Sequence, residues 1–322
     1  MRVLVYGWYY KGNLGDDLFI DAFKHIFPNF EFTFTDYIKF SHLENIDAVF
    51  IGGGSFLGEA CKISPDAIEL LKSKTIFYLG VGSETNIHET HQQLISLSKL
   101  VAIRSSAHIE HISKLNSNIM VIPDLVYALP TQPATEKNTN SILFIPNMSV
   151  VPRWNDPHWK HAAWNSFKIE LVQALDVLSK EKYQIKFLPF CTNNKMHDSY
   201  VAGEIINCMN ESKINMILDQ PKSLSEAIDI ISKNTLTVTQ RFHGSVLSEM
   251  ANTTSLTIHH HDKLKNYNGF KIDYYACNKN LLLDKIKSLL EMKNDCILPI
   301  DRNIFISLKE RVENALCRNQ KQ

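Results

Sequence analysis

Asp47-Ala48-Val49-Phe50-Ile51-Gly52-Gly53-Gly54-Ser55 is the stretch that decides the fold. A short apolar run of this kind reads as a strand buried on both faces, and the glycines that close it read as a tight strand-to-helix turn. Working outward, Arg2-Val3-Leu4-Val5-Tyr6 is a second such run, also ending on a glycine, Gly7. Between the two, Leu18, Phe19, Ala22, Phe23, Ile26 and Phe27 recur at helical spacing. Further strands are expected at 75–79, 100–103 and 119–122. Ser64-Pro65-Asp66 has the composition of a helix start, with a capping serine and a proline at the first helical position.

Pro130 to Asn140 is polar and breaks this rhythm, which makes it the expected linker between two domains, 1–130 and 131–322. The alternation then resumes, with strands near 141–145, 184–188, 214–218, 235–239 and 254–258. Ser223-Leu224-Ser225-Glu226 is a capping-box sequence. An apolar stripe at Ile304, Leu308, Val312, Ala315 and Leu316 predicts a last helix over 304–317. Strands alternating with helices predict a parallel α/β architecture, here two Rossmann-like domains facing across a cleft.

Composition narrows the function. Among 322 residues, 34 basic side chains balance 34 acidic ones, which argues against a general nucleic-acid binder and requires any anion to be held by a local pocket. Cys61, Cys191, Cys208, Cys277, Cys296 and Cys317 are scattered without a CxxC pair, as expected of free thiols in a reducing compartment. No run reaches the length of a membrane span, and the N-terminus lacks the apolar stretch of a secretory signal. The expectation is a cytoplasmic protein.

Ligands of open α/β sheets gather at the carboxyl ends of strands, so polar groups in those loops that packing does not require are the candidates. Gly7-Trp8-Tyr9-Tyr10-Lys11-Gly12-Asn13-Leu14-Gly15-Asp16-Asp17 occupies the place of a nucleotide-binding loop without the GxGxxG spacing. Asp16 and Asp17 suit sugar hydroxyls or proton transfer, and Trp8, Tyr9 and Tyr10 offer flat faces to a sugar ring. Helix capping and core filling account for the same residues equally well. Gly53 and Gly54 in one turn, and Gly82 in Gly80-Val81-Gly82-Ser83, would let backbone N–H groups approach an anion. Arg104 ends a strand, where it could grip a carboxylate or phosphate in two-pronged fashion, or form a surface ion pair.

The strongest signal is Thr237-Val238-Thr239-Gln240-Arg241-Phe242-His243-Gly244-Ser245. A strand runs into a turn carrying a guanidinium and an imidazole at the start of a helix expected over 245–251, a favourable place for an anion. Lys263 follows the next strand in Ile258-His259-His260-His261-Asp262-Lys263. Successive histidines in extended chain point to opposite faces, so no metal site is expected from them. Trp154, Trp159 and Trp164 leave two roles open: facing a lipid-linked acceptor or a membrane periphery, or helical core packing, which is favoured for Trp164.

These residues resemble, in order, the polysaccharide pyruvyltransferase family. Asn13-Leu14-Gly15-Asp16-Asp17 is similar to its N-x-G-D-[DE] opening, Ile51 to Gly54 to its glycine-rich turn, and Arg241-Phe242-His243-Gly244 to its R-x-H-[AG] element. Two departures stand out, Ile103-Arg104-Ser105 in place of V-R-D, and Ser83 where a further glycine is common. The resemblance implies a GT-B-like fold, phosphoenolpyruvate as co-substrate with no other cofactor, and a sugar or lipid-linked glycan as acceptor. It implies an acceptor-facing first domain and a donor-facing second, where Arg241 and His243 contact the donor and Arg104 and Lys263 complete an anion cradle. His243 would neutralise phosphate or deliver a proton, and Asp16 or Asp17 would act as base. Two rivals remain, a GT-B glycosyltransferase with a nucleotide-sugar donor and an inactive glycan-binding module.

Overall fold

In the computed structural model the described residues are 1–82, 86–134, 136, 138–193, 196–210, 216–260, 269–292 and 300–319. The chain divides into two compact units. The first comprises Met1–Lys11, Asp16–Pro130 and Pro299–Gln322, and the second Gly12–Gly15 and Thr131–Leu298. This differs from the expected 1–130 and 131–322 at both chain ends. The last helix, Asn303–Asn319, buries Phe305, Leu308, Val312 and Leu316 and packs beside the strand Leu100–Ile103 of the first unit. Its apolar stripe was legible, but a stripe does not say which sheet it covers.

The first unit is built on a parallel sheet of six strands in the order β2-β1-β3-β4-β5-β6. These are β1 Arg2–Tyr6, β2 Glu31–Thr35, β3 Ala48–Gly54, β4 Thr75–Val81, β5 Leu100–Ile103 and β6 Ile119–Val121. Every residue of β3 is buried, as its unbroken apolar run requires. Helix α1, Leu14–Ile26, sets Phe19 and Phe23 into the core, with Asp16 and Asp17 in its first turn and Lys24 and His25 in its last, the order its dipole favours. Around Ser64 the expected helix start is weaker than its composition: the serine makes no side-chain cap bond, and a 3-10 turn Pro65–Ala67 precedes the helix Ile68–Lys72.

The second unit has its own parallel six-stranded sheet, β11-β8-β7-β12-β13-β14. The strands are β7 Asn138–Ile145, β8 Gln184–Phe187, β11 Met216–Ile217, β12 Asn234–Thr239, β13 Ser255–His259 and β14 Phe270–Asp273. A small antiparallel hairpin, β9 Thr192–Asn193 with β10 Met196–His197, stands apart. The long helix α6, His158–Lys180, buries Trp164, Phe167, Leu171 and Leu175. In this unit β7 starts inside the segment read as linker, because Asn138 pairs with Asn234 and a backbone ladder needs no apolar side chain. Helix α8, Leu224–Ser232, carries the expected cap, Glu226 N–H donating to Ser223 Oγ at 3.2 Å, but the Glu226 carboxylate accepts from Lys222 N–H. No described helix is long and apolar enough to cross a membrane.

Candidate functional site

Along the second sheet the chain runs outward from β7 to β8 and β11, then returns to β12 on the other side of β7. The carboxyl ends of β7 and β12 therefore flank a topological switch point, the usual ligand position in such sheets. Thr239 of β12 lies beside Ile145 of β7, so Asn147 and Arg241 leave the sheet as neighbours. Asn147 N–H donates to Gln240 Oε1 at 3.1 Å, tying the two loops together.

Arg241 does not hang free on this edge. Its Nε and Nη2 donate to Asp198 Oδ2 and Oδ1 at 3.1 and 2.5 Å. Asp198 is wholly buried at the start of helix α7, Asp198–Cys208, and also accepts from the backbone N–H groups of Met148, Phe190 and Cys191. Burying an ion pair costs several kcal/mol per ion, and saturating the carboxylate with donors is what offsets it. The result is a guanidinium fixed in direction, with the other three of its five N–H groups unpaired among the described residues.

Arg241 is also the N-cap of helix α9, Phe242–Met250, so the helix begins earlier than the expected 245–251. Thr239 Oγ1 accepts from Arg241 N–H and donates to Arg241 C=O, both at 3.0 Å, which shapes the turn. Gly244 owes its identity to packing, since a Cβ there would stand 2.1 Å from Thr239 Oγ1. His243 thus sits in the first turn of α9, 6% exposed, edge-on to Phe242.

Against that imidazole lies Gly15. A Cβ on Gly15 would be 2.1 Å from His243 Nδ1 and 2.5 Å from its Cγ. Gly12–Gly15 belongs to the second unit because it lies along Phe190–Thr192. Leu14 N–H donates to Phe190 C=O at 2.8 Å, Thr192 N–H to Gly12 C=O at 2.9 Å, and Asn13 bridges Cys191 in antiparallel fashion. Gln220 Nε2 holds the segment from below, donating to Gly12 C=O and Phe190 C=O. Asn13, Gly15, Arg241, His243 and Gly244, far apart in sequence, are therefore one cluster.

The remaining candidates among the described residues lie in the first unit. Gly54, with φ of +137°, has the Asp16 carboxylate 3.9 Å from where its Cβ would be. Gly53, with φ of +71°, covers the Phe19 ring, where a Cβ would sit at 2.6 Å. Gly82 leaves room for Ser55 and Arg104, and its N–H donates to Gly54 C=O. Arg104 lies inside the unit, its side chain 4% exposed, with Nη1 on Asp124 at 2.6 Å and Nη2 on Ser55 at 2.8 Å. It thereby joins Ser55, after the first glycine turn, to Asp124, an ion pair that is buried where the alternative to an anion grip was a surface pair. Asp17 accepts from Tyr10 N–H at 2.7 Å; burial pushes its carboxyl up, the Tyr10 N–H opposes this, and the Asp16 charge adds to it.

Of the three aromatics read as sugar platforms, Tyr9 is a core residue, 2% exposed with its hydroxyl on Gly52 C=O; Trp8 and Tyr10 are exposed. Trp164 is buried, and Trp154 and Trp159 face solvent. Lys263, Ser83 and His261 lie outside the described residues. Sequence reasoning missed Asp198, Asp124 and the Asn147–Gln240 pair. A helix opened by an aspartate is the available signal for Asp198, and it says nothing of the partner that the carboxylate meets.

The family model described as polysaccharide pyruvyl transferase matches residues 8–262. A comparison with curated proteins gives no match. Among solved structures, the UDP-GlcNAc 2-epimerase of Neisseria meningitidis bound to UDP-GlcNAc is similar at TM-score 0.61 and 8% identity, over 98% of this chain and 100% of that one. The Methanocaldococcus jannaschii UDP-GlcNAc 2-epimerase, in complex with UDP-GlcNAc and UDP, gives 0.59 and 9%, over 99% and 100%. At such identities the likeness concerns the fold alone, which is of the GT-B class.

Proposed function

The chain belongs to the polysaccharide pyruvyl transferase family, and from that premise we propose that it transfers a pyruvyl group from phosphoenolpyruvate to hydroxyls of a glycan, forming a ketal. The transferase class comes with the family; the donor and the ketal are the proposal. The observation that carries it is the fixed cluster of Gly15, His243 and Arg241 at the switch point of the second sheet.

The chemistry assigns work to these groups. The C3 methylene of phosphoenolpyruvate takes up a proton, one sugar oxygen bonds to C2, phosphate departs with its bridging oxygen, and a second sugar oxygen bonds to C2. Of the two hydroxyl protons released, one balances that taken up at C3 and the other ends on phosphate. Arg241, oriented by Asp198, offers its remaining N–H groups to a carboxylate or phosphate of the donor. His243, in the first turn of α9, supplies a proton or neutralises the phosphate, aided by the helix N-terminus. Asp16 or Asp17 takes the proton of the attacking hydroxyl, and a raised pKa suits Asp17 to such exchange. Lys263 is a further cation offered to the donor. Phosphoenolpyruvate is a cytoplasmic metabolite, so the reading places the chain there.

The test is a thermal-shift series with phosphoenolpyruvate, pyruvate, UDP and GDP on the protein and on His243→Gln. A ligand at one hundred times its Kd stabilises by about 2.7 kcal/mol. Phosphoenolpyruvate alone should raise the midpoint, and the variant should lose the shift. A rise with a nucleotide and none with phosphoenolpyruvate would replace the proposal by a nucleotide-sugar glycosyltransferase.

A further inference from the structure

The second unit holds another opening at the carboxyl side of its sheet. It is a cavity of about 210 Å³ formed by the turn after β7, the first turns of α6, and the residues following β13 and β14. Trp159 supplies an indole that is 58% exposed, and Tyr275 a second exposed ring. Tyr274 forms the buried side, its ring braced by Phe167 at a centroid distance of 4.4 Å. Polar groups are interspersed. Ser149 Oγ lies 3.4 Å from His260 Nε2, and the Asp156 carboxylate is 3.3 Å from Lys160 Nζ, which stands over the Trp159 ring at 5.9 Å. The opening is coupled to the Arg241 turn, because Asn147 Nδ2 reaches both Gln240 C=O and His260 Nε2 at 3.4 Å.

The chemistry of this lining selects among ligands. Among the described residues the one lysine of the lining is paired with its one aspartate, which leaves no surplus of positive charge there for a phosphate or diphosphate. The Arg153 N–H and Lys160 hold the Asp156 carboxyl below its usual range, so it is an acceptor for hydroxyls at neutral pH. An exposed indole beside charged and hydroxyl groups suits a molecule with an apolar face and a polar rim, since aromatic rings bring large apolar area and a π-face to such contacts. A pyranose has that form, its axial C–H groups on one face and its hydroxyls around the edge. The volume lies just below the range of roughly 300–1,000 Å³ for drug-sized ligands, which suits a single ring.

We propose that this cavity is a subsite for one pyranose unit of the acceptor glycan, stacked on Trp159 with hydroxyls toward Ser149, Asp156 and His260. This rests on the glycan-modifying reading above, and adds that the donor-side unit itself grips part of the acceptor.

The experiment is saturation-transfer NMR on the full chain with methyl β-galactoside, methyl α-mannoside, N-acetylmannosamine and UDP, without phosphoenolpyruvate, on the protein and on Trp159→Ala. Trp159 is exposed, so its removal should leave the melting temperature unchanged. At least one sugar should show transfer, reduced at least fivefold in the variant, while UDP shows none that depends on Trp159. No transfer to any sugar, or transfer indifferent to Trp159, would overturn the proposal, as would transfer to UDP lost in the variant. The phosphoenolpyruvate thermal shift of Trp159→Ala should equal that of the unaltered chain. If that shift is present and the sugars fail, the subsite is wrong and the donor reading stands; if the sugars bind and no shift is seen, the reverse holds.

Discussion

Gly15 lies against His243 so closely that a single added methyl would stand 2.1 Å from the imidazole Nδ1. Two short motifs more than two hundred residues apart thus meet as a glycine and the ring it accommodates. The glycine is required here by contact, not by backbone conformation, since Gly15 is absent from the positive-φ positions.

Gly15→Ala should therefore act on the imidazole. Alanine fits the helix α1 backbone, so the methyl must push His243 aside or lift Asn13 and Leu14 from Phe190 and Cys191. Overpacking of this kind costs about 1–3 kcal/mol, and misplacing a reacting group by 1 Å costs roughly 10²-fold in rate. Pyruvyl transfer should fall at least tenfold with a modest loss of thermal stability. Unchanged turnover would remove His243 from the reaction.

The Arg241–Asp198 pair makes a different demand. Because Asp198 is fully buried and satisfied by Arg241 and three backbone N–H groups, Arg241→Ala would leave a buried carboxylate short of its cation. Breaking such a pair costs about 3–5 kcal/mol. Urea denaturation should show a loss of that order for Arg241→Ala, and less for Arg241→Ala combined with Asp198→Asn, which removes the charge as well. Equal losses would mean that the carboxylate is relieved by another route. This is also why His243→Gln is the cleaner probe of ligand binding.

How far this was legible in the sequence depends on the range of the interaction concerned. Central strands such as Ala48–Gly54 are buried on both faces, and their apolar runs are unmistakable. Edge strands Glu31–Thr35 and Phe270–Asp273 alternate apolar with polar residues, so neither forms an apolar run. The glycines and the Arg-His turn stood out because turns are local. Asp198 did not, because nothing within Asp198–Cys208 indicates that its carboxylate meets a guanidinium 43 residues further on. For Arg104 the position at a strand end was readable, and its buried partner Asp124 was not.

His91 gives a pH prediction for the first unit. It is fully buried, with Nδ1 2.9 Å from the Tyr78 hydroxyl, and burial lowers its pKa from 6.5 to about 4, with His88 adding to the effect. Between those values the unfolded chain binds the proton and the folded one does not, so stability rises with pH across the window. It is present above 6.5 and is lost as pH falls through about 4. The contribution is on the order of 3 kcal/mol. Urea melts between pH 4 and 7 should show this slope, and His91→Gln, which keeps a partner for Tyr78, should flatten it. An unaltered slope in the variant would assign the acid sensitivity elsewhere.

Tyr274 offers a prediction of the opposite sign. Its ring is packed on Phe167, yet its hydroxyl is buried without a hydrogen-bond partner among the described residues, and burial pushes the phenol further above its ordinary pKa. A buried polar group left unpaired costs about 1–3 kcal/mol. Tyr274→Phe keeps the ring and removes only the oxygen, so it should raise the melting temperature, by an amount equivalent to roughly 1 kcal/mol. It should also leave sugar binding at the Trp159 cavity intact, because the oxygen is sealed from solvent and only the ring walls the opening. A drop in stability would mean that the hydroxyl is satisfied in solution, and a loss of sugar binding would mean that it turns into the cavity to meet the ligand.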